Sequence, residues 1–391
     1  MGDTQAFLDH HWAQSPLHVE GADQAAFADL LSLDDVDRLV SSSFARSPTF
    51  RLVRDGKPVD PARYSRSARV GGRDVPGVGD PRLVLQEFAA GATIVLQGLQ
   101  RSWPPLASFC RSLEHELTFP VQVNAYVTPA GSRGLDVHYD THDVFVLQLA
   151  GTKSWSVHPP VWPDPLPSQP WSTRRQAAGP AIAAPHVAAG DCLYVPRGFL
   201  HSATAQEGVS AHLTVGVHAQ TWHDVVHAAL AATADEPELR RSLPPGWAHD
   251  ERALAAGARE ALDAVAKSLA SFDTDAVAAR TVQRFWAGRP PVLTGQLAQV
   301  LALDGLDDTT RLRPRPTAVC HLSTGPEKVE MRVGQRTLRM PAALSPVLAR
   351  VTAGDTFALG DLADMVDEAS RRVLVRRLVL EGVLEIVPGG G

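Results

Sequence analysis

Short runs in which apolar and polar residues alternate, broken by Gly and Pro, fill the chain from Val121 to Gly216. That texture predicts many short strands closing into a β-sandwich or barrel. Val121, Val123, Ala125 and Val127 alternate with Gln122, Asn124, Tyr126 and Thr128, so one strand offers an apolar face to a core and a polar face to whatever the barrel encloses. A polar inner face predicts a lined pocket. The stretch Asp143 to Leu149, followed by Ala150-Gly151-Thr152 and then Trp155 to His158, reads as a hairpin with Lys153 just past its turn. Eight prolines between Pro159 and Pro185 forbid regular structure there and predict a long surface excursion.

The flanks read differently. The first hundred residues are mixed, with a short helical pattern around Phe7 to Trp12 and another over Ser32 to Val40. In the second, Leu33, Val36, Leu39 and Val40 share a face, Asp34 and Asp35 suit the first turn, and Ser32 is the N-cap. After Trp222 Ala-rich helical patterns take over at about His223–Ala234, Asp250–Ser271 and Thr274–Ala287, broken by Pro244-Pro245-Gly246. Beyond the Pro-bearing Arg311 to Pro316 come an apolar helix pattern near Ala342–Val351, a short run Asp355–Leu359, helical patterns from Asp361 and a terminal strand Leu384–Val387, an order that resembles a winged helix. The expected class is mixed α and β, divided as 1–221 (barrel with N-terminal helices), 222–310 (helical) and 311–391 (winged-helix-like).

Composition narrows the chemistry. At 391 residues, 44% hydrophobic and 20% charged, the chain exceeds what one core usually organises. Its formal charge of -6 gives no general attraction to nucleic acid or anionic lipid, so a polyanion-binding role requires a local patch. The longest apolar runs are too short to span a bilayer and the first residues lack the layout of a signal peptide, so a soluble cytoplasmic protein with no membrane partner is expected. Cys110, Cys192 and Cys320 are isolated, which leaves His and carboxylates as the available metal ligands.

His138-Tyr139-Asp140 places an imidazole and a carboxylate two residues apart, on the same face of a strand. His201 ends the run Gly190-Asp191-Cys192-Leu193-Tyr194-Val195-Pro196-Arg197-Gly198-Phe199-Leu200-His201, which is similar to the second cupin motif, G-x5-P-x-G-x2-H, and departs from it at the trailing Asn, where Ala205 stands. Two His and one carboxylate on one side of a metal form the facial triad of non-haem Fe(II) oxygenases and leave three positions open.

With these motifs the chain resembles the JmjC-domain Fe(II)- and 2-oxoglutarate-dependent oxygenases, and more narrowly the ribosomal oxygenases. The resemblance rests on His138 to Leu149, on Gly151-Thr152-Lys153-Ser154-Trp155, on the cupin run, and on Leu239 to Gly246, which is similar to that family's inter-domain stretch. It implies a double-stranded β-helix (the cupin/JmjC jelly roll), a helical domain for homodimerisation, a C-terminal winged-helix domain, and hydroxylation of a His or Arg side chain of a ribosomal protein with Fe(II), 2-oxoglutarate and O2. His138, Asp140 and His201 would be the catalytic metal ligands. Lys153 would bind the distal carboxylate of 2-oxoglutarate, and charge agrees: Fe(II) with one Asp is +1, the cosubstrate is -2, and one Lys closes the balance. Some bacterial members carry Arg there, so Lys153 resembles the eukaryotic pattern. Asn124, Tyr126 and Thr214 are further candidates for the cosubstrate pocket. His212 is the next most suitable histidine to approach the site; Tyr139, Trp155, Phe145 and Cys192 read as packing. Arg371, Arg372, Arg376 and Arg377 sit where a recognition helix would lie, but Pro341 to Gly391 holds five Arg against seven acidic residues, which argues against nucleic acid as a partner. Two rival readings remain: a hydroxylase of a non-ribosomal peptide or small molecule, and a non-catalytic cupin sensor or regulator.

Overall fold

In the computed structural model, which describes residues 4–41, 46–132, 134–171, 176–206 and 208–387, the alternation at Val121–Thr128 is realised as a strand at the centre of the first unit. Val121, Val123, Ala125 and Val127 pack into one core with Leu213, Val215 and Val217 of the paired strand Ser210–Val217. Helices Pro81–Ala89 and Pro104–Leu117 supply Val84, Leu106 and Cys110 to that core. Each begins with Pro in its first turn, where the missing N–H has no helical acceptor in any case. The predicted cap also forms: Ser32 Oγ accepts from Asp35 N at 3.1 Å while Ser32 N donates to the Asp35 carboxylate at 3.0 Å.

The chain divides into two units, residues 1–219 and 220–391. The first is built on two antiparallel sheets. Eight strands run in the order Leu17–Val19, Cys192–Val195, Asp143–Ala150, Ser210–Val217, Val121–Thr128, Thr93–Leu96, Phe50–Arg54 and Lys57–Pro58. Three more run in the order His186–Ala188, Thr152–Pro160, Phe199–Ala205. Val144, Val146, Leu193 and Val195 of the large sheet share a second core with Trp155, Val157, Val187 and Ala203 of the small one, so the two sheets pack face to face.

This topology corrects the hairpin expected across Gly151. Asp143–Ala150 pairs with Cys192–Val195 and Ser210–Val217, whereas Thr152–Pro160 pairs with His186–Ala188 and Phe199–Ala205. The chain changes sheets at Gly151 instead of turning back. Gly151 has φ +64°, and a Cβ there would lie 2.1 Å from the Val209 carbonyl oxygen. Gly151→Ala is therefore expected to cost about 2–3 kcal/mol, combining left-handed strain with a backbone clash. A urea midpoint equal to that of the parent protein would refute this.

Between Pro160 and His186 the described residues form bends and turns; residues 172–175 of the expected excursion lie outside them. In the second unit, helices Trp222–Ala232, Glu251–Ala270 and Thr274–Ala287 precede a body with its own core, in which Leu312, Leu348, Val375 and Leu384 are buried. That body holds the short sheet Phe357–Ala358, Arg311–Pro314, Leu384–Ile386 and a meander, Cys320–Thr324, Lys328–Val333, Arg336–Pro341, that the sequence reading did not anticipate. Among the described residues no helix is long and apolar enough to cross a membrane.

Candidate functional site

The two motifs meet at a backbone pairing. His138 N donates to His201 O at 3.1 Å and His201 N donates to His138 O at 2.8 Å, and Gly198 N donates to Asp140 O at 2.9 Å. The His138 segment thus lies antiparallel to the start of Phe199–Ala205. Gly198 makes this approach possible: its φ is +84° and a Cβ would sit 2.7 Å from Trp162 O.

The side chains are prepared for a cation. His138 Nδ1 lies 2.7 Å from Asp136 O and His201 Nδ1 lies 3.1 Å from Phe199 O. A carbonyl only accepts, so both Nδ1 atoms carry hydrogen and in each neutral ring Nε2 keeps its lone pair. One ligand atom from each of His138, Asp140 and His201 falls within 4.8 Å of the others, with His201 Nε2 at 3.5 Å from Asp140 Oδ2. Three acceptors converging without a donor fit a metal ion. Burial, reinforced by the neighbouring His201, lowers the His138 pKa and favours the neutral, ligating form. Burial alone would raise Asp140, but the imidazoles of His201, His142 and His138 around it outweigh that and hold the carboxyl below its usual range.

These three residues line an open cleft of about 570 Å³ together with Lys153, Tyr126 and Thr214. Lys153 is 2% exposed, and burial pushes its pKa down to about 8. Its Nζ donates to Thr128 Oγ1 at 3.2 Å, and Thr93 Oγ1 donates to the same oxygen at 3.1 Å. His212 also lines the cleft, stacked flat on Tyr126 with centroids 5.1 Å apart and edge-on to Trp155 at 5.7 Å. Burial, then the charge of Lys153, keeps its pKa well below the usual value. Neither His212 Nδ1 nor Trp155 Nε1 has a hydrogen-bond partner although both are buried, so the cleft wall holds polar atoms that a bound ligand would satisfy. Trp155, read from sequence as packing, is therefore wall as well as core. Tyr139 does point away, donating from its hydroxyl to Gln169 O at 2.9 Å.

Asn124 is not brought into the cleft wall. Its Oδ1 accepts from Gly98 N at 2.9 Å and Gln122 Nε2 at 3.2 Å, which ties the side chain to the turn after Thr93–Leu96. The sequence reading missed Arg51, Val53, Thr93 and Val95, of which all but Arg51 line the cleft. Arg51 pairs with Val95, which pairs with Tyr126 on the next strand, so the three stand in a row. Arg51 carries its charge beside Tyr126 and donates through Nε to Gln97 Oε1 at 2.7 Å. The signal was the alternation Phe50-Arg51-Leu52, too short to be read as a strand on its own.

Residues 99–225 match the JmjC domain family model. Ribosomal oxygenase 1 of Rattus norvegicus is 32% identical over 248 residues, 61% of this chain and 40% of that protein. The Dictyostelium discoideum bifunctional lysine-specific demethylase and histidyl-hydroxylase NO66 is 28% identical over 332 residues, 79% of this chain and 62% of that protein. The chain spans about 40% of the length of the ribosomal oxygenase 1 relative. Among solved structures, the Escherichia coli ribosomal oxygenase YcfD in complex with cobalt and 2-oxoglutarate shares the fold at TM-score 0.53 and 16% identity over 98% of both chains. Its complex with cobalt and succinic acid gives TM-score 0.54, 17% identity and the same coverage.

Proposed function

From the match of residues 99–225 to the JmjC domain family model we propose that the chain is an Fe(II)- and 2-oxoglutarate-dependent hydroxylase that uses O2 to oxidise a ribosomal protein side chain, histidine in preference to arginine. The observation that carries this reading is the convergence of two imidazole nitrogens and one carboxylate, lone pairs inward, in a cleft whose wall holds a buried lysine. A ferrous ion held by His138, Asp140 and His201 would supply the open positions at which 2-oxoglutarate and O2 meet. Lys153 would pair with the far carboxylate, with Tyr126 and Thr214 on the same cleft wall. The preference for histidine rests on Arg51, whose fixed charge beside Tyr126 repels an incoming guanidinium and tolerates a neutral imidazole. The name histidyl-hydroxylase on several relatives points the same way.

Arg51 acts through Tyr126, as a positioning residue. Arg51→Met is expected to raise KM for 2-oxoglutarate about 3- to 10-fold, the scale of one lost charge beside Tyr126, with a smaller change in kcat. Arg51→Lys should restore part of it, and an unchanged KM in the Met variant would remove the residue from the assignment.

The second unit supports two further parts of the proposal. Trp222, Leu262, Leu297 and Leu301 are 84%, 68%, 75% and 75% exposed, which favours residues 222–310 as a homodimer surface. In the winged-helix-like region, residues 311–391, Arg371, Arg372, Arg376 and Arg377 pair with Asp308, Glu368, Asp304 and Glu381, which favours packing over phosphate contact there.

Intact masses of ribosomal proteins from the source strain with and without this gene test the function. One protein lighter by one oxygen in the deletion is the expected result. Identical masses throughout would shift the reading to a non-ribosomal peptide or small molecule.

A further inference from the structure

The arginines of the first unit are unevenly placed. Residues 46–82 contain nine basic residues and four acidic ones, in a chain whose formal charge is -6. Eight of the nine are Arg. Within this segment Ser65–Val70 and Arg73–Gly79 form a two-stranded ribbon separate from both barrel sheets. Arg66, Arg69 and Arg73 on it are exposed, and at its tip a Cβ on Gly71 or Gly72 would meet nothing within 4 Å. Arg66 is braced through Nη1 against Ala62 O at 3.1 Å and Ser65 O at 2.9 Å, which holds its guanidinium at the surface.

The neutralising groups nearby are largely committed elsewhere. Glu87 is shared between Arg54 and Arg63. Asp60 and Asp80 accept from the backbone N–H of Ala62 and Arg82. Asp74 faces Arg69 across the ribbon, leaving Arg66 and Arg73 without an opposing carboxylate on the ribbon itself. The ribbon continues from the hairpin Phe50–Pro58, which contributes Val53 to the cleft and whose Gly56 packs on the Asp136 carboxylate, two residues before His138. The positive surface therefore adjoins the segment that carries the first metal ligand.

We propose that this arginine ribbon is a docking surface for the phosphate backbone of RNA. Guanidinium groups pair with phosphate through two parallel hydrogen bonds, which suits an Arg-dominated patch. The ribbon has no aromatic residue to stack on a base and offers Val70 as its one exposed large apolar side chain, so the contact is to the backbone and independent of sequence. An acidic protein partner would call for apolar anchors beside the charges, which the ribbon lacks. RNA bound here would tether a ribonucleoprotein beside the cleft.

The test uses the full chain and a fluorescein-labelled 20-nucleotide RNA hairpin, read by anisotropy at 50 and 200 mM KCl, with a fluorescein-labelled polyglutamate peptide as the comparison. Expected are binding at the lower salt, an affinity falling steeply with salt, and a loss of about tenfold or more when Arg66→Gln, Arg69→Gln and Arg73→Gln are combined, with a salt slope reduced by about 2. An Arg66→Lys, Arg69→Lys, Arg73→Lys protein should retain most of the affinity. Absence of RNA binding at 50 mM, binding unchanged in the Gln variant, or equal affinity for polyglutamate through the same three residues would each overturn the proposal. Turnover of 2-oxoglutarate should be equal in the Gln variant and the parent, so failure here and failure of the hydroxylase reading are separate results.

Discussion

His138→Ala is expected to lower 2-oxoglutarate turnover by more than about 100-fold, beyond the 10- to 100-fold typical when only a residue supporting a metal ligand is removed. The argument is geometric. His138 and His201 are fixed by reciprocal backbone bonds and by Nδ1 contacts to Asp136 O and Phe199 O. Removing one imidazole leaves two donors that no neighbouring side chain is placed to supplement, since among the described residues the one group of three potential ligands is His138, Asp140 and His201. Metal binding provides a readout apart from activity. With Co(II) at 100 times its dissociation constant the parent protein should gain about 2.7 kcal/mol of stability, and the variant should gain far less. A His138→Ala protein with normal iron-dependent turnover would defeat the assignment of the site.

How much of this was legible in the sequence follows from how local each signal is. The triad was readable because its two motifs are short and fixed by turns: Gly198 must be glycine beside Trp162 O, and His201 follows three residues later. The polar inner face of Val121–Thr128 was readable because strand period alone sorts it. The partner of a strand is not a local property, so Asp143–Ala150 and Thr152–Pro160 read as a hairpin although the chain crosses between sheets at Gly151. The same limit hid Arg51, which stands beside Tyr126 only through pairing with Val95, on a strand whose three apolar residues in a row do not distinguish it from a helix turn. Asn124 shares the polar face, but its side chain accepts from Gly98 N, a contact set by where the chain turns after Thr93–Leu96.

The second large effect is expected at Lys153. Its ammonium is buried with one hydrogen-bond acceptor, Thr128 Oγ1, and faces a neutral His212. Burial alone lowers its pKa to about 8, so the apo protein holds a charge at neutral pH that nothing anionic offsets. Between that value and the unfolded pKa near 10.4 the unfolded chain binds the extra proton, so stability rises with pH through this window and the burial cost, about 3 kcal/mol, is present in full below it. Lys153→Met should therefore stabilise the apo protein at pH 7, by up to that amount, while raising KM for 2-oxoglutarate about 100-fold, the scale of a desolvated ion pair. The parent's affinity should weaken as pH rises above about 8, when the free lysine loses its proton, and the Met variant should show no such dependence. Lys153→Arg stays protonated throughout and should bind with a flat profile in that range. If Lys153→Met left KM unchanged, or destabilised the apo protein at pH 7, the lysine would be a packing residue and the charge balance proposed for the cleft would have to be assigned to Arg51.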